Sequence, residues 1–214
     1  MPVSKIKVGA VLITALALAG CSREGELTAE GITVTRSACP AVAIPAGTGD
    51  ITLFNPENSR DASAIDVVAN ITNVRATCDE SGEYIVSNVT FDVQALRRDA
   101  AGAREVVLPY FTTVVQGGTN VVAKRLSRVA LRFEDGQLRA STSGTGSAQV
   151  LRSAATLPAE VRERITRRRR PGDADAAVDP LANPEVRTAV TRATFELLVG
   201  FQLTEDQLRY NATR

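Results

Sequence analysis

Between about residue 32 and residue 151, apolar side chains recur at every second position, a period that suits a strand and that no helix can hold on one face. Val67, Ala69 and Ile71 alternate with polar neighbours, and Val74, Ala76 and Cys78 continue on the opposite parity. The change of parity predicts a bulge near Thr72 and Asn73. Asp79-Glu80-Ser81-Gly82 is turn chemistry, and Ile85, Ser87, Val89, Phe91, Val93 and Ala95 then alternate again, so the two runs predict a long hairpin. Further strand-like runs cover 106–115 and 121–133, parted by Gly117-Gly118. In the second of these, Val129, Leu131 and Phe133 face one way while Arg128 and Arg132 face the other. Asp135-Gly136 predicts another hairpin, closed by a Ser/Thr/Gly-rich strand over 138–151. The pattern belongs to a mainly β domain: an antiparallel β-sandwich of immunoglobulin- or fibronectin-like type, or a small barrel.

The period changes at Leu157-Pro158. Leu157, Val161 and Ile165 form an i, i+4 stripe, with Pro158 suited to a first helical turn. Residues 171–184 are rich in Pro, Ala and Asp and read as a loop. Phe195, Leu197, Val199, Phe201 and Leu203 then give the cleanest alternation in the chain, so a last strand is expected over 189–203. Thr204-Glu205-Asp206-Gln207 has the pattern of a capping box and predicts a short C-terminal helix. The resulting map is a leader over 1–20, a tether over 21–31, one β-rich domain over 32–203 with a helical insertion at about 157–185, and a tail over 204–214.

The leader carries the address. Lys5 and Lys7 precede an almost continuous apolar run from residue 8 to residue 18, long enough for a signal-peptide core and too short for a span of about 20 residues. It ends at Leu18-Ala19-Gly20-Cys21, which resembles the lipobox of bacterial lipoproteins; the resemblance covers residues 1–21 only. It implies diacylglyceryl transfer to the Cys21 thiol, cleavage after Gly20 and palmitate-type acylation of the new amine. Each buried methylene contributes about 0.8 kcal/mol, so two or three chains anchor where one would not. Ser22 after the cysteine resembles the pattern for export to the outer membrane. Residues 22–30 are polar and acidic, and as an extended tether they would reach about 30 Å.

Composition narrows the chemistry. The 214 residues hold 25 Lys plus Arg against 24 Asp plus Glu, and no His. Without Lys5 and Lys7, 23 basic side chains face 24 acidic ones, a net charge of −1. That balance argues against nucleic acid as partner, because phosphate neutralisation needs a basic excess. Lack of His removes the commonest general base and metal ligand, and with it any Ser-His-Asp or Cys-His set. With Cys21 lipidated, Cys39 and Cys78 remain as one pair, which an oxidising compartment would join as a disulfide. Arg162, Arg164, Arg167, Arg168, Arg169 and Arg170 concentrate positive charge, fit either for anionic headgroups or for a solvated helix end balanced by Asp173, Asp175 and Asp179. Those three aspartates lack the glycine and glutamate of a calcium loop, and Ser143-Gly144-Thr145-Gly146-Ser147 lacks the lysine of a phosphate loop, reading instead as a flexible or bulged strand. No metal, cofactor or catalytic residue is expected.

The reading that follows is a lipid-anchored, non-catalytic envelope protein facing the periplasm, an interaction or structural module whose edge strands could accept a partner strand. Two others stay open: a carrier for a lipid or anionic envelope ligand, which would need an apolar pocket between the sheets, and a carboxylate-based hydrolase, which would need two acids converging in a cleft with raised pKa values.

Overall fold

Strands that are apolar on one side must meet face to face, and in the computed structural model of the chain they do so as two four-stranded sheets. The structure describes residues 37–167, 172–174 and 177–213, together with the backbone of Glu26–Thr28 (β1) and Gly31–Thr33 (β2). The chain divides into two compact units, Met1–Arg36 and Ser37–Arg214. In the first, β1 and β2 pair as a small antiparallel hairpin.

The second unit is the sandwich. Its strands are β3 (Ala41–Ala43), β4 (Asp50–Phe54), β5 (Ile65–Asp79), β6 (Tyr84–Arg97), β7 (Arg104–Gln116), β8 (Asn120–Phe133), β9 (Arg139–Leu151) and β10 (Phe195–Phe201). The first sheet has the order β3-β10-β7-β8 and the second β4-β5-β6-β9. Every pair is antiparallel except β3 on β10. The expected mainly β architecture is therefore present, and one sheet curls into a half-barrel.

Alternation decides what lies between the sheets. Along β6, Ile85, Ser87, Val89, Phe91, Val93, Ala95 and Arg97 are all buried. Phe195, Leu197, Val199 and Phe201 do the same for β10. Phe91 meets Tyr110 edge to face at 5.2 Å, and the Tyr110 hydroxyl crosses to donate to the Thr145 carbonyl at 2.8 Å. The bulge appears where the parity changes: Thr72 pairs with Asp92 and Arg75 with Thr90, leaving Asn73 and Val74 opposite Phe91. Asn73 takes φ 51°, a left-handed conformation that asparagine tolerates. Its amide donates to Asp92 at 2.8 Å, and Ser143 donates to the other carboxylate oxygen at 3.0 Å. These two hydrogen bonds hold the Asp92 pKa below the usual carboxylate value.

Several expectations need correction. Asp135-Gly136 does turn the chain, with Gly136 at φ 75°, but β8 and β9 belong to different sheets, so the turn is a crossing and no hairpin forms. Turn chemistry marks the change of direction and not the pairing that follows it. The Ser143–Ser147 stretch is not bulged: β9 pairs with β6 in unbroken register from Tyr84↔Leu151 to Leu96↔Arg139. Its glycines are required by close approach, since a Cβ on Gly144 would overlap the Phe91 ring and one on Gly146 the Thr112 methyl. The last strand is shorter than 189–203. A helix, Pro184–Arg192, takes its first part, because Asn183 accepts from the Glu185 and Val186 amides and Pro184 presets the first turn.

In chain order the helices are α1 (Arg152–Ala155), α2 (Ala159–Thr166), α3 (Pro184–Arg192) and α4 (Glu205–Thr213). Pro158 immediately precedes α2 as its cap residue, and Val161 and Ile165 are half-buried. Within the loop expected at 171–184, Pro180–Ala182 forms a 3-10 turn capped by Asp179. The capping box of α4 is formed reciprocally: the Thr204 amide donates to Gln207 at 2.9 Å and the Gln207 amide to Thr204 at 3.3 Å.

The two sheets are tied at both ends. Cys39, just ahead of β3, is bonded to Cys78 in β5, with Cα atoms 6.2 Å apart. Cys78 pairs with Ser87, and Arg97 stands at the far end of β6, roughly 33 Å away at the usual strand rise. There Arg97 is 2% exposed and stacks over Phe133 at 5.2 Å. Its guanidinium donates to the carbonyls of Gln137 (2.7 Å), Gly102 (2.8 Å), Ala100 (2.5 Å) and Glu134 (3.0 Å). Two of these belong to the β6–β7 crossing and two to the β8–β9 crossing. The loops also bond each other directly, Gly136 N–H to Ala100 and Gly102 N–H to Asp135.

Three outcomes follow for stability. Arg97→Met should cost about 3 kcal/mol in denaturant unfolding, because it strands buried carbonyls; Arg97→Lys should recover only part of this, and a loss below about 0.5 kcal/mol for either would refute the clamp. Gly144→Ala should cost about 1–3 kcal/mol by overpacking against Phe91. Replacing both Cys39 and Cys78 by Ser should cost about 4 kcal/mol, and the denatured, non-reduced protein should offer neither thiol to a labelling reagent.

Candidate functional site

The candidate sites fall into three regions, two of them singled out in the sequence. Cys21, Arg168, Arg169 and Arg170 lie outside the described residues, as does Asp175. Arg162 and Arg164 are exposed on α2, and Arg167 is exposed just beyond it. Arg164 and Arg167 line an open cleft of about 380 Å³ together with Glu163, Asp179, Val178 and Asn183. Acidic and basic groups therefore share that cleft. Asp179 is engaged by the Leu181 amide at 2.9 Å as a cap.

The second region is the disulfide end. Asp79 accepts from the Ser81 backbone amide at 2.8 Å, and the hydrogen bonds from Ser81 hold its pKa below the usual carboxylate value. Glu80 accepts from the Ser37 hydroxyl at 2.7 Å, and its carboxylate is 2.9 Å from Cys39 Sγ. Cys39, Cys78 and Glu80 thus bring three potential ligand atoms within 4.8 Å of one another. Both sulfurs are already bonded to each other, so neither is a thiolate that could hold a metal. Hydrogen bonds lower the pKa of Asp79 and of Asp92. Both move downward, opposite to the direction a general acid needs.

The third region is the open side of the sandwich, which the sequence did not single out. β8 ends the first sheet and β9 ends the second. The 134–138 crossing joins them, so both free edges lie on one side. Where β9 keeps burying alternate residues, β8 does not: all seven residues from Asn120 to Leu126 are exposed. Val121, Val122 and Leu126 are 59%, 54% and 62% exposed. A register shift at Val114/Val115, with Val114 opposite Ala123 and Val115 opposite Val121, leaves Val122 as the extra residue of a bulge. Below this half-strand the seam gapes into a crevice of about 310 Å³, floored by Thr112, Val114, Leu197 and Ala148 and rimmed by Arg125 and Gln149.

Charge is asymmetric along this side. β8 contains Lys124, Arg125, Arg128 and Arg132, β9 contains Arg139, and neither strand contains an acid. Arg132 pairs with Glu134 at 2.9 Å, and Lys124 Nζ lies 5.0 Å from the centre of the Phe111 ring. The signal was present as a carboxylate-free stretch from 120 to 133, but edge status depends on which strands pair and cannot be counted from composition. Compared with protein-family models, curated proteins and solved structures, the chain matches none.

Proposed function

We propose that this chain is a lipid-anchored bacterial cell-envelope protein, attached through Cys21 to the outer membrane and facing the periplasm, whose sandwich is a non-catalytic interaction module. The observation that carries the reading is the order of basic start, apolar run, small residues and Cys21 in the first 21 residues. The joined Cys39–Cys78 pair is consistent with an oxidising compartment.

The interior favours a module over a carrier. Phe91, Phe133, Phe201, Leu131 and Leu197 fill the space between the sheets at 0–1% exposure. A carrier would keep an apolar cavity there. The seam crevice is small and more polar than a lipid chain would choose, whereas the exposed apolar side chains on β8 suit a protein surface.

Cys21→Ser is expected to leave the protein unlipidated and out of the membrane fraction, while the wild type remains in it. Retention of the variant in membranes would overturn the anchor. Crosslinking in intact cells should join the wild type to a consistent protein neighbour; capture of lipid alone would replace the module reading with the carrier.

A further inference from the structure

An unpaired strand edge is a template for another strand, and proteins usually blunt such edges with a charge, a bulge or brevity. β8 has a bulge and an inward-parity cation, Arg125, yet it is fourteen residues long and keeps Val121, Val122 and Leu126 in solvent. Edge protection alone explains neither the exposed apolar side chains nor the lack of carboxylates. Acids and bases are almost equal in number over the chain, and a surface built for solubility mixes the two signs.

We propose that the β8 edge over residues 120–128 binds an extended peptide segment of another protein, added as a strand, with acidic side chains on one face and apolar side chains on the other. Lys124, Arg128 and Arg132 share the parity of the exposed face. An added strand would set its acids beside them as cross-strand pairs. Lys124 and Arg128 make no ion pair among the described residues, so both are available to a carboxylate. Side chains on the strand's other face would lie over the seam, covering the apolar floor of Val114, Leu197 and Ala148. The main chain of β8 would supply the hydrogen bonds, and the cationic row would select the partner. A second copy of β8 is disfavoured, because it would set like charges opposite one another.

This site rests on the interaction-module reading and does not depend on the lipid anchor. The probes are a synthetic peptide alternating glutamate and valine, its counterpart with lysine in place of glutamate, and vesicles of anionic phospholipid. The glutamate peptide should bind the purified protein and slow amide hydrogen exchange within 120–128. Its affinity should fall steeply with added salt and drop at least about ten-fold in the Lys124→Glu/Arg128→Glu variant. Both positions are exposed, and unchanged unfolding of that variant verifies its fold. Equal binding of the lysine peptide, absence of binding, or protection elsewhere than β8 would overturn the assignment. Protection of β8 by vesicles and not by the glutamate peptide would give the surface to lipid and also overturn it. If cellular crosslinks reach a protein through another face, the module reading survives and this site alone falls.

Discussion

The sandwich depends on one buried cation. Arg97 is the last inward position of β6, and the alternation that buries Val93 and Ala95 carries it inside as well. A charge taken out of water there must be hydrogen-bonded, and four backbone carbonyls engage four of its five N–H donors in place of a carboxylate. Because the carbonyls come from two loops, satisfying the guanidinium also fixes the points at which the chain passes from one sheet to the other. The aromatic ring of Phe133 below it completes the site. At the opposite end of β6 the covalent Cys39–Cys78 bond performs the same joining task between β3's approach and β5. One end is held by a network, the other by a bridge.

Closure at both ends leaves the remaining freedom at the side. The two sheets stay together at the 134–138 crossing, and β8 extends away from it with its first seven residues in solvent. Its first half therefore lacks the covering that β9 has. In a molecule whose interior is filled, this edge brings together unpaired backbone, exposed apolar side chains and three cations, Lys124, Arg125 and Arg128, that have no ion pair among the described residues. The cation-rich α2 region, by contrast, shares its cleft with Glu163 and Asp179.

Local signals were legible where their cause was local. Val67 to Cys78 announced both the strand and its parity break, and Asn73 occupies the break because it tolerates a left-handed backbone. Thr204 and Gln207 announced their own helix start, and the even pair of cysteines announced its bond. Features set by distant partners were not. Nothing in the sequence around Arg97 shows that Phe133 and two crossings surround it. Gly144 and Gly146 look like looseness until Phe91 and Thr112 press against them. Asp135-Gly136 shows a turn but not which sheet receives the next strand. The β8 edge is hidden in the sequence for the same reason, since Lys124 and Arg125 become part of an edge only through the pairing of the other strands.

The proposed anchor would join this scaffold to a membrane through a single sulfur atom, and intact-mass measurement of the native protein tests it most directly. It predicts a polypeptide that begins at Cys21, carries the added mass of a diacylglyceryl group and an amide-linked acyl chain, and is two hydrogens lighter for the Cys39–Cys78 bond. A polypeptide that still begins at Met1 with no acyl mass would contradict it.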